Sequence, residues 1–106
     1  MPIINVGSYA CGQWIGPGSA ARLIASAVTG NVIAQSGGAN LNITAMLDYA
    51  RDIGGPALRA LTFHDRARLL KAVAAYLDQR KQPLYDLSFC TGATQNDHLI
   101  DIDGGI

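Results

Sequence analysis

The sequence predicts an α+β chain, with short antiparallel strands first and about four helices after them. Three observations carry that reading. Gly7, Gly12, Gly16, Gly18, Gly30, Gly37 and Gly38, with Pro2 and Pro17, crowd the first part of the chain, which is too densely punctuated for a long helix and suits short strands joined by turns. Beyond Gly37-Gly38 the apolar positions take up helical spacing. Helix-starting side chains (Asn42, Thr62 and Thr94) then stand ahead of the apolar runs. A length of 106 residues fits one small domain.

Taken in order, Val28-Thr29-Gly30-Asn31-Val32-Ile33 places a turn pair between apolar flanks, since Gly and Asn accept positive φ at little cost. Arg22 to Ala27 is expected as one strand and Val32 to Gln35 as the other. Ser19 to Ala27 is Ala-rich, and a helix there is the competing reading. Ile43, Met46, Leu47, Ala50 and Ile53 then share a helical face, with Asn42 placed to cap the first turn. That helix is expected to end at Gly54-Gly55-Pro56. Thr62 with Asp65 forms a capping-box pattern for a second helix, whose expected buried stripe is Leu69, Leu70, Val73 and Leu77. Pro83 suits the first turn of a third helix, carrying Leu84 and Leu87 and stopping near Gly92. Thr94 with Asp97 repeats the cap for a fourth, whose apolar face of Leu99, Ile102 and Ile106 runs off the end of the chain. Residues 1–106 are therefore expected to be a truncated part of a larger domain.

Composition narrows the function classes. Eight basic and eight acidic residues give a net charge of zero, which removes the long-range field that gathers nucleic acid or an anionic membrane. All eight acids are aspartates, so no mechanism that needs a glutamate can be completed within this chain. A hydrophobic share of 49% against 15% charged residues leaves apolar surface over for a partner. No window reaches the ~18 consecutive apolar residues of a membrane span, and the N-terminus lacks the pattern of a secretory signal, so a cytoplasmic location is expected. Cys11 and Cys90, far apart and without framework spacing, are expected as thiols.

Each candidate site has a plainer explanation. Gly16-Pro17-Gly18-Ser19-Ala20-Ala21 loosely fits a dinucleotide fingerprint. However, proline occupies the loop, and the first acid downstream, Asp48, is too far for the ribose contact, so a turn between strands is expected. Cys90 with His98 could pair as thiolate and base. Cys11, His64, Cys90 and His98 could together supply zinc ligands, yet the close Cys pair of such sites is missing. A buried Cys90 and solvent-facing histidines are expected instead. Asp101-x-Asp103 offers two carboxylates where a Ca²⁺ or Mg²⁺ site wants about six oxygen ligands. No catalytic, cofactor-binding or metal-binding residue is assigned.

The order of the elements resembles the N-terminal segment of the NAD(P)-dependent aldehyde dehydrogenase superfamily. The resemblance rests on the Gln13-Trp14 strand, the Ala27 to Ala34 hairpin, the helix from Asn42, Arg66-x-x-Leu69-Leu70 and Thr91-Gly92, and it spans Ser8 to Ile106. Gly55-Pro56-Ala57-Leu58-Arg59-Ala60-Leu61-Thr62-Phe63, Leu70-Lys71-Ala72-Val73-Ala74, Thr91-Gly92-Ala93-Thr94 and Asp101-Ile102-Asp103-Gly104-Gly105-Ile106 are similar to the phenylacetic acid degradation branch. In that branch the dehydrogenase domain precedes a hydratase-like, ring-opening domain. A benzoyl-CoA branch shares much of the run, and Ala93, where the family usually has Lys, favours the phenylacetate side. The resemblance implies a parent that oxidises a CoA-linked semialdehyde with NAD or NADP, that associates as a homo-oligomer, and whose remaining sequence is this segment's partner. It also implies that the nucleophilic cysteine, the glutamate base and the dinucleotide loop lie outside these residues, leaving the segment inactive alone. The alternative is a free-standing, non-catalytic oligomerisation or interaction module; a thiol-dependent hydrolase using Cys90 is a distant third.

Overall fold

Turn chemistry sets the strand layout of the computed structural model, which describes residues 2–106. The strands are β1 (Ile4–Val6), β2 (Ser8–Ala10), β3 (Gln13–Ile15), β4 (Arg22–Ala25) and β5 (Val32–Ser36). Cys11 and Gly12 hold φ of 52° and 77°, the left-handed pair that a two-residue hairpin loop requires. β2 and β3 therefore pair antiparallel, with Tyr9 opposite Trp14. The two rings meet edge to face at 5.2 Å.

β4 and β5 form the expected hairpin. Its turn is closed by the Ser26 N–H on the Asn31 carbonyl at 2.8 Å and the Gly30 N–H on the Ser26 carbonyl at 2.9 Å, with Gly30 at φ 76°. β4 stops at Ala25, short of the expected Ala27, because Ser26 begins the turn and the Ala27 N–H donates to the Cys90 carbonyl at 2.8 Å. The competing helix over Ser19 to Ala27 does not form. The strands are not all antiparallel, as the sequence reading had them: β1 lies parallel to β5. Between those two strands the chain runs through the β2–β3 hairpin and β4, the kind of long crossover that returns a strand in its original direction. Close approach explains one glycine, since a Cβ on Gly37 would stand 2.4 Å from the Pro17 carbonyl oxygen.

The helical part comprises α1 (Ile43–Tyr49), a π-helical stretch at Ala50–Gly54, α2 (Gly55–Arg59), α3 (Phe63–Asp78), α4 (Lys81–Phe89), α5 (Gln95–His98) and a π-helical turn at Leu99–Asp103. These make four continuous runs. Asn42 caps α1 by accepting the Ala45 N–H at 3.0 Å. The run does not end at Gly54-Gly55-Pro56 as expected. The Gly55 N–H reaches back to the Ala50 carbonyl, so the backbone widens by one residue and Pro56, which has no N–H to lose, enters the first turn of α2. Thr62 caps α3 reciprocally with Asp65, at 3.1 and 3.4 Å.

Residues 2–26 and 30–60 form one compact unit, and residues 27–29 and 61–106 a second. Buried among the described residues are Ala10, Pro17, Ser26 and Ala34 in the first unit and His98 in the second. The expected stripe of α3 is not buried: Leu69, Leu70, Val73 and Leu77 are 52%, 71%, 56% and 37% exposed. Spacing correctly places them on a helix, but burial needs a surface to meet them, and no residue of α3 is buried here.

Thr62→Ala is expected to destabilise the chain by about 1 kcal/mol. Leu70→Ala should cost under about 0.5 kcal/mol, against the roughly 2–5 kcal/mol of a buried leucine. Urea midpoints compare the two, and a larger loss at Leu70 than at Thr62 would contradict the exposure of α3.

Candidate functional site

In the second unit, α4 carries Lys81, Tyr85 and Phe89 four residues apart, and therefore along one face. Thr94 begins α5 by accepting the Asp97 N–H at 3.4 Å, while the Asp97 carboxylate takes the Thr94 N–H at 2.6 Å and its hydroxyl at 2.9 Å. This cap delivers His98 onto α4. The imidazole stacks on Tyr85 at 4.8 Å and 7°, and meets Phe89 edge-on at 4.4 Å and 67°. It is fully buried, so the expectation of solvent-facing histidines holds for His64 and fails for His98. The aromatic pair on α4 supplies the walls, a contact that the spacing of Tyr85 and Phe89 allows but does not dictate.

One turn further on, the Asp103 carboxylate accepts the Tyr85 hydroxyl and the Lys81 ammonium, the latter at 3.3 Å. Lys81 also bridges to Asp78 at 3.1 Å. The phenol first and the ammonium next hold the Asp103 carboxyl below its ordinary value, because both hydrogen bonds favour the ionised form. Asp78, then Asp103, pushes Lys81 up. Tyr85 is raised chiefly by its bond to Asp103, with desolvation adding to it. Asp97 is lowered by the Thr94 N–H and hydroxyl.

Beside this clasp lies an open groove of about 460 Å³. Leu84, Leu87, Ile102 and Ile106 supply its apolar surface, and Ser88, Thr91 and Asp101 its polar groups. The clasp and groove stand side by side as charged groups paired with one another and an open, mostly apolar surface. Asp103 is engaged by Tyr85 and Lys81, so Asp101-x-Asp103 does not act as a carboxylate pair. No group of three possible metal-ligating side chains is found among the described residues. Cys11 and Cys90 are not joined in a disulfide. Cys90 is half-buried, not buried as expected, and its thiol donates to the Asp86 carbonyl at 3.7 Å. Neither ring nitrogen of His98 has a hydrogen-bond partner among the described residues, so no such bond makes it a base for Cys90. The Gly16-Pro17-Gly18 loop leads from β3 to β4. No helix N-terminus follows to receive a pyrophosphate, and the residues present do not fit a dinucleotide.

No family model matches the chain. Among curated proteins it is similar to a dehydrogenase. Over 104 residues, 97% of this chain, it is 33% identical to the 3,4-dehydroadipyl-CoA semialdehyde dehydrogenase of Aromatoleum evansii. The match takes in 20% of that protein, so the chain corresponds to a segment about a fifth of its relative's length.

The clasp gives the second unit a defined pH window. Asp97 and Asp103, lowered on folding, stabilise it at neutral pH and lose that effect as pH falls below the ordinary carboxylate value. Lys81 and Tyr85, raised on folding, stabilise it below their ordinary values and lose that effect as pH climbs past their folded ones. Thermal unfolding followed by circular dichroism should show greatest stability between about pH 4 and 10. Asp103→Asn should flatten both limbs and return Tyr85 toward 10.0. An unchanged phenolate titration in that variant would mean that the clasp does not form in solution.

Proposed function

We propose that this chain is the N-terminal part of an aldehyde dehydrogenase domain. Its parent enzyme oxidises a CoA-linked semialdehyde to the acid with NAD or NADP, in aromatic catabolism of the phenylacetate type. The observation that carries the reading is the 33% identity to a CoA-semialdehyde dehydrogenase across 97% of the chain. The bound dinucleotide supplies the hydride acceptor in such a reaction.

This segment's own residues contribute shape, not chemistry. With no glutamate anywhere in the sequence and a Gly16-Pro17-Gly18 loop that does not fit the dinucleotide, it acts as a platform and is inactive by itself. The rest of the parent is its first partner and would cover the apolar faces of α3 and the groove; that these faces lie exposed supports the reading independently of sequence identity. The parent assembles as a homo-oligomer in the cytoplasm, a setting that suits two thiols outside any disulfide.

Reading the coding region past Ile106 tests the proposal. A continuing frame with a cysteine and a glutamate motif is the expected result, and an immediate stop would favour the free-standing module. Purified alone, the chain is expected to produce no NADH or NADPH from any CoA-linked semialdehyde; turnover without contaminating full-length enzyme would overturn the scaffold role. Sedimentation of the isolated chain should show self-association that weakens on Leu70→Asp, whereas a monomer at high concentration would contradict the assignment of α3 as a covered face.

A further inference from the structure

We draw no further inference here: the strongest candidate, the open apolar groove that Leu84, Leu87, Ile102 and Ile106 line beside α4, belongs to the site already described, and nothing in the structure shows which segment covers it.

Discussion

Local satisfaction of backbone hydrogen bonds, rather than burial, is the constraint on which this structure depends. Every helix leaves unpaired N–H groups at its start, and Asn42, Thr62 and Thr94 each answer one with a side-chain oxygen. Asp65 and Asp97 return the favour to the cap residue itself. The strands are short and their turns are fixed by left-handed residues at Cys11, Gly12 and Gly30. With so few side chains buried, these polar devices mark where α1, α3 and α5 begin and where the two hairpins turn.

The second unit adds a tertiary lock to this local scheme. His98 fills the space between Tyr85 and Phe89, and Asp103 draws in the far side of Tyr85 together with Lys81. A partly exposed ion pair alone is worth little. Here the Asp103 carboxylate and the His98 imidazole engage one face of α4 together, and fixing one lowers the entropy cost of fixing the other. The result is a braced shelf of apolar side chains with charged groups held to one side.

Much of the fold was legible in the sequence because its signals are local. The two capping boxes, the Asn42 cap and the β4–β5 turn all depend on residues within a few positions of one another; the caps stand where the pattern put them, and the turn holds Gly30-Asn31 as expected but opens two residues early, at Ser26. What the sequence did not disclose depends on distant partners. Nothing near β1 reveals that it lies parallel to β5, and nothing near Asp103 identifies Tyr85 as its donor. His98 looked like a surface residue because imidazole burial is decided by the aromatic rings it meets. The α3 stripe failed in the opposite sense: Leu69, Leu70 and Val73 carry the period of a buried face, and that period records a surface to be met without supplying it. Of the candidate site, the Thr94–Asp97 cap and the apolar faces carrying Leu84, Leu87, Ile102 and Ile106 were legible, while the clasp and the meeting of those faces in one groove are tertiary.

The widened turn at Ala50–Gly54 has a geometric consequence for whatever meets the first unit. Leu47 and Leu58 are eleven positions apart, three turns of a regular α-helix, and would align within about 20°. One additional residue in the winding rotates them apart by on the order of 100°. Both are more than half exposed, at 52% and 53%. The run thus aims its apolar side chains in two directions, and a flat neighbour could cover only one of them, so complete coverage calls for a concave surface or two separate elements.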